Sequence, residues 1–198
     1  MRKEKKNNTG CEGFTLMELL VTIGIMAVII TLTLPSFTGL GRGAKKNSAI
    51  NNLKNTLSLA RQWAITHRDT VSVVFPDDNW TDTTNQRTDD KRYQSFGVYS
   101  VNSTNIISEW VYLPKGIIFD KDRIAALRKV TIRGHSSVPV IEFKQSGGLV
   151  GSGAKTEIVY IIEGTYSRQD GIIKTFKGAF DAVKVNGLTG LSYVERDI

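Results

Sequence analysis

Cysteine is almost missing from this 198-residue chain, which has one, Cys11. A single thiol forms no disulfide within the chain, so the fold must stand on its core alone. Histidine is nearly as scarce: His67 ends a helical stretch, His135 sits in a Gly-His-Ser-Ser turn, and both read as surface residues. There is no Cys/His set at metal-ligand spacing, no phosphate-loop glycine pattern and no serine elbow. Enzyme chemistry therefore finds no support, and no cofactor or metal is expected. Asp77, Asp78, Asp82, Asp89 and Asp90 gather in one stretch, PDDNWTDTTNQRTDDKR, without the regular spacing of a calcium loop. That stretch reads as a long, solvated, exposed loop.

Charge is missing elsewhere. From Phe14 to Leu34 the chain runs 21 residues with Glu18 as the sole charged side chain. At about 1.5 Å per residue this is on the order of 30 Å, the thickness of a bilayer core. A secretory signal would be shorter and would end in a small-x-small cleavage site; this run ends in TLTLPSF. Cys11 precedes the run instead of following it, which argues against a lipoprotein signal. A plain single-pass anchor explains the length but leaves Glu18 without a reason, since a carboxylate at a membrane helix centre costs roughly 2.5–3.5 kcal/mol. Of the net charge of +7, the first thirteen residues hold +2 and the remainder +5. Basic residues before the run put the N-terminus in the cytoplasm and the following domain outside. Arg42, Lys45 and Lys46 close behind the run oppose that orientation.

Beyond the run, Pro35 lacks a donor and disfavours helix at the preceding residue, so a kink or break is expected there. Gly39, Gly41 and Gly43 loosen the next residues. Helical periodicity then returns in Ile50, Leu53, Leu57, Ala60 and Ala64, a single apolar stripe suited to packing on a sheet of the same chain. The rest reads as strands at 70–75, 93–101, 106–113, 116–119, 129–133, 139–144, 156–162 and 179–185, punctuated by Gly and Asn. The expected class is α+β: a long N-terminal helix and an antiparallel all-β head.

The segment Gly13-Phe14-Thr15-Leu16-Met17-Glu18-Leu19-Leu20 resembles the processing signature of type IV prepilins and pseudopilins. The resemblance implies a cleaved leader at 1–13, a transmembrane helix at 14–35, a linker and amphipathic half-helix at 36–68, and a periplasmic head at 69–198. It implies that a prepilin peptidase cuts after Gly13 and N-methylates Phe14. It implies an inner-membrane, single-pass protein that assembles with other pilins or pseudopilins through its helix. Glu18 then pairs with the terminal amine of a neighbouring subunit, the alternative being a carboxylate that only snorkels to the interface. Pro35 stands where pilins commonly carry a helix-kinking proline.

Within that family the head resembles the GspH/FimT group. The pieces are Leu113-Pro114-Lys115-Gly116, the Phe143 to Gly148 segment FKQSGG, and Thr189-Gly190-Leu191. Two functions follow from the resemblance. One is a structural minor pseudopilin of a type II secretion system or related filament. The other is a FimT-like minor pilin that binds DNA for uptake. For DNA the candidates are Arg128, Lys129 and Arg133 with Arg123, diluted by Asp120 and Asp122; the tail GLTGLSYVERDI has a formal charge of −1, which opposes a polyanion. A membrane-anchored sensor that reuses a pilin-like anchor is the third reading.

Overall fold

Ile50, Leu53, Leu57, Ala60 and Ala64 recur every three or four residues, and all five are 2% exposed or less. They lie on α1, Leu16–His67. The computed structural model describes residues 14–80, 91–101, 105–132, 134–166, 173–175 and 180–196, and the side chains of these except 32–42 and 173–175. The chain divides into two units, Met1–Gly43 and Ala44–Ile198.

In the first unit every described side chain from Phe14 to Thr31 is exposed. They include Leu16, Met17, Leu20 and Ile23, each more than 60% exposed. An apolar surface of that extent needs an apolar surrounding that this unit does not itself supply. Among the described residues no helix is both long and apolar enough to cross a membrane; the described side chains of this apolar stretch end at Thr31. The break expected at Pro35 is not found, because α1 continues through it. A proline removes one backbone donor, and the turns on either side keep their own.

Among the described residues the second unit holds ten strands, all paired antiparallel. They are β1 Val71–Val74, β2 Ser95–Ser100, β3 Ile106–Tyr112, β4 Ile117–Phe119, β5 Arg128–Ile132, β6 His135–Phe143, β7 Glu157–Tyr166, β8 Ile173–Thr175, β9 Asp181–Val185 and β10 Ser192–Arg196. One short helix, α2 Lys121–Ala125, follows β4. The first sheet runs β3-β2-β1-β6-β5; the second runs β10-β9-β7-β4, with β8 also on β7.

The stripe of α1 packs on residues of both sheets: Val71, Val73, Phe96, Val98, Ile141 and Phe143 from one, Val159, Ile161, Val183 and Val185 from the other. Phe75 and Phe119 meet edge to face at 5.2 Å within this core. Each fully buried Leu, Ile or Phe contributes roughly 1.5–3 kcal/mol, which replaces the disulfides that the chain cannot form. Strands β1 and β2 show no polar-out alternation because the first sheet is covered on both faces. On its second face Val74, Trp80, Tyr99, Ile132, Val138 and Val140 form a smaller cluster, joined by Trp110 and Val130.

That cluster corrects the exposed-loop reading of the Asp-rich stretch at two positions, while Asp78 and Asn79 between them are exposed as expected. Asp77 and Trp80 are buried, at 6% and 3% exposure. Trp80 reaches back over the sheet, stacking on His135 at 4.0 Å and meeting Trp110 edge to face at 5.2 Å. His135 is accordingly the first residue of a strand and not a free turn residue. Asp82, Asp89 and Asp90 lie outside the described residues.

Candidate functional site

A helix begins with four backbone N–H groups that have no partner in the helix, and a Thr-x-x-Glu sequence satisfies two of them. Thr15-Leu16-Met17-Glu18 does so at the start of α1. The Glu18 amide donates to Oγ1 of Thr15 at 3.2 Å, and the Thr15 amide donates to Oε2 of Glu18 at 3.4 Å. The Thr15 hydroxyl lies 3.3 Å from the same oxygen. Glu18 is thus a capping residue as well as a charge, a pattern the sequence displays openly as T-x-x-E. Phe14 precedes the helix and is 75% exposed. Gly13 lies outside the described residues, and Pro35 is within the helical backbone.

The head's glycine motifs meet in space. Asn186 organises a turn with its side chain: Oδ1 accepts from the amides of Leu188 and Thr189, both at 3.0 Å. Gly190 closes the turn with φ of 66°, its amide donating to Asn186 O at 2.8 Å. A β-carbon on Gly190 would collide with the carbonyl of Gly147 and touch the ring of Phe143. Gly147, at φ of 85°, ends the turn after β6, and a β-carbon there would press on Ile65 of α1. Leu149 N donates to Gly187 O at 2.8 Å, and Arg61 Nε donates to Thr189 O at 2.7 Å. Phe143 to Gly148 and Thr189 to Leu191 are therefore two halves of one junction that ties α1, the end of β6 and the start of β10 together. The Pro114 to Gly116 piece is a separate tight turn, with Ile117 N donating to Pro114 O at 3.0 Å and Gly116 at φ of 90°.

The basic candidates are scattered in role. Arg128 lies on β5 with its Nε 3.1 Å from Oε2 of Glu142, a buried carboxylate on the neighbouring strand. That oxygen has the charge contact but no aligned hydrogen bond. Burial pushes the Glu142 carboxyl up from its usual range, against the pull of Arg128. Lys129 is exposed on the edge strand β5, and Arg133 lies outside the described residues. Arg123 stacks over the Tyr160 ring at 4.8 Å.

Around the Asp77–Trp80 segment a polar network joins the two sheets. Asp78 is paired with Lys121 at 2.7 Å and accepts from the Tyr166 hydroxyl at 3.2 Å. Arg92 donates to the Trp80 carbonyl through Nε and Nη2, and to the Tyr166 oxygen through Nη1. Burial raises the Asp78 carboxyl, but hydrogen bonds from Lys121 and Tyr93 outweigh it and the net shift is downward. Burial raises Asp77. Among the described residues no group of three or more His, Cys, Asp or Glu side chains is placed to hold a metal ion.

Two families match along the chain: residues 8–34 match the prokaryotic N-terminal methylation motif, and residues 49–173 match type II transport protein GspH. No curated protein matches. Two crystal structures of the type IV minor pilin FimU of Pseudomonas aeruginosa (strain PAO1) are similar at 13% identity. One covers 80% of this chain and 92% of FimU with a TM-score of 0.44, the other 77% and 92% with a TM-score of 0.41.

Proposed function

The chain belongs to the GspH family of type II transport proteins, and on that premise we propose that it is a minor pseudopilin, cut from a precursor and built into a short secretion filament. The observation that carries this reading is the order of the two matches: a methylation motif over 8–34, then the GspH region over 49–173. A prepilin peptidase cuts after Gly13 and methylates the new amine of Phe14. Residues 14–35 then span the inner membrane, with the N-terminus cytoplasmic and the head, 69–198, periplasmic. The exposed apolar side chains of the first unit support that placement, because lipid, and later the helices of neighbouring subunits, supply the apolar surrounding they need. Glu18 pairs across subunits with the Phe14 ammonium of a neighbour and sets the axial register.

DNA uptake is less well supported. Arg128 is engaged with Glu142, and the tail forms a strand whose Glu195 pairs with Lys184. Mass spectrometry of protein made with its cognate peptidase is the direct test. A methylated chain beginning at Phe14 is expected; an uncut leader, or a start beyond Leu34, overturns the pseudopilin reading.

A further inference from the structure

Besides the three-residue β8, which pairs only with β7, the two sheets end in four strands among the described residues, β3 and β5 in the first and β4 and β10 in the second. An uncovered edge offers a row of backbone N–H and C=O groups to any extended chain, and proteins blunt edges with bulges, short strands or a covering helix. Three edges here are blunted. The pairing of β3 on β2 is irregular around Val98, and that of β5 on β6 is irregular between Val130 and Ile132. Strand β4 has three residues and runs into α2. Strand β10 differs: its register on β9 is unbroken from Ser192 to Arg196.

The alternation of an antiparallel ladder identifies its free groups. Asn186 N donates to Leu191 O, so that pair is hydrogen-bonded, and the next bonded pairs fall on Tyr193 and Glu195. Ser192, Val194 and Arg196 therefore turn their N–H and C=O groups away from β9.

This edge begins at a groove of about 500 Å³ between the flank of α1 and the 190–192 segment. The groove runs along α1 from Lys54 to Thr66, on the order of 18 Å, room for about five extended residues at roughly 3.4 Å each. Ile65 and Leu191 expose apolar surface into it, at 41% and 57%. Lys54 and Arg61 line it, and among the described residues neither has a carboxylate partner; Arg61 holds only the Thr189 carbonyl. The two uncompensated cations state the charge of what fits.

We propose that the free edge of β10 and this groove dock an extended, acidic segment of a partner protein, which adds to the sheet as a further strand. Its backbone pairs with Ser192 and Val194, its carboxylates face Lys54 and Arg61, and an apolar side chain rests on Ile65 and Leu191. Main-chain pairing supplies affinity and the side-chain contacts supply specificity, as in other strand-addition complexes. The surface lies wholly in the second unit, so it stands or falls independently of how the N-terminus is processed.

The test uses the full chain in detergent and a fluorescein-labelled heptapeptide, Thr-Val-Glu-Val-Glu-Val-Thr, with a control in which lysine replaces each glutamate. Fluorescence anisotropy should report binding of the acidic peptide alone, with the amide resonances of Ser192, Val194 and Arg196 shifting. Lys54→Glu should weaken binding about tenfold. Ser192→Pro should abolish it with thermal melting unchanged, because the lost N–H belongs to the free edge and proline is tolerated at the first residue of a strand. If Ser192→Pro lowers the melting temperature, Lys54→Glu, on the helix surface, carries the test by itself. Equal binding of the lysine peptide, or undiminished binding by Lys54→Glu, overturns the proposal. So does self-association lost in Ser192→Pro, which would make a second copy the occupant, or duplex DNA binding in place of the peptide.

Discussion

Thr15 and Glu18 cap one another across the first turn of α1, each amide donating to the other's side chain. The cap rests on the peptide bond between Phe14 and Thr15, which the proposed cleavage after Gly13 would leave whole. Under that proposal the same carboxylate holds the helix end before processing and offers a charge to a neighbour afterwards.

Those two roles separate by mutation. Glu18→Gln keeps the reach of a capping box, which accepts Glu or Gln, and removes the charge. Thr15→Ala keeps the charge and removes the cap, at about 0.5–2 kcal/mol of helix stability. Both variants should insert and be cut. Crosslinking between cysteines placed near positions 14 and 18 of adjacent subunits should fail in Glu18→Gln, because a buried ion pair broken on one side costs roughly 3–5 kcal/mol. Thr15→Ala should still crosslink. The reverse pattern would assign assembly to the cap and leave the carboxylate a bystander.

The glycine junction of the head predicts an order of stabilities. Gly190 and Gly116 both have positive φ, but only at Gly190 would a β-carbon strike backbone, the Gly147 carbonyl. Gly116→Ala should cost the strain of a left-handed residue, about 1–3 kcal/mol. Gly190→Ala should cost more, since the 143–149 and 186–191 turns must move apart. Denaturant titration of the two variants tests this, and equal midpoints would mean that the junction yields without loss.

Arg128 and Glu142 give a prediction with a pH sign. Burial holds the folded-state pKa of Glu142 above its unfolded value, so the folded chain binds the extra proton between the two. Stability from this group is thus full below about 4.5 and falls as pH rises through the folded pKa. Arg128→Ala removes the compensating cation and should deepen that fall, costing about 1–3 kcal/mol at neutral pH. Glu142→Gln should flatten the dependence, and adding it to Arg128→Ala should restore most of the loss. Chemical denaturation across pH 4 to 8 measures all three, and an Arg128→Ala curve parallel to the parent would refute the pairing. A gel shift aimed at DNA should rely on Lys129→Ala, since Lys129 is exposed and forms no salt bridge among the described residues, its charge acting only at longer range on Asp77.

What the sequence displayed, and what it hid, follows from geometry. The stripe from Ile50 to Ala64 was legible because a helix packed on one side keeps a clean three-four spacing. The β-branched runs at 71–74 and 139–143 were legible as strands for their burial on both faces. Strand β10 was not, since SYVER on an exposed edge alternates too weakly to separate from a tail. Helix α2 is five residues long and depends on one cap, Asp120 accepting from Arg123 N at 3.1 Å. The Phe143–Gly148 and Thr189–Leu191 motifs were visible as strings, but that they touch is a long-range fact. So is the attachment of Arg128 to Glu142, which needs the register of β5 on β6. Trp80 was misplaced because the aspartates beside it suggest solvent, while the indole turns inward.

All three tryptophans, Trp63, Trp80 and Trp110, belong to the second unit, and Trp80 and Trp110 sit ring against ring. Intrinsic tryptophan fluorescence is consequently a private channel for the second unit. Its emission reports Trp80 and Trp110 on the covered sheet and Trp63 on the part of α1 that belongs to this unit, and it carries no signal from the first unit, so a spectrum recorded in lipid and one recorded in detergent compare the same three chromophores.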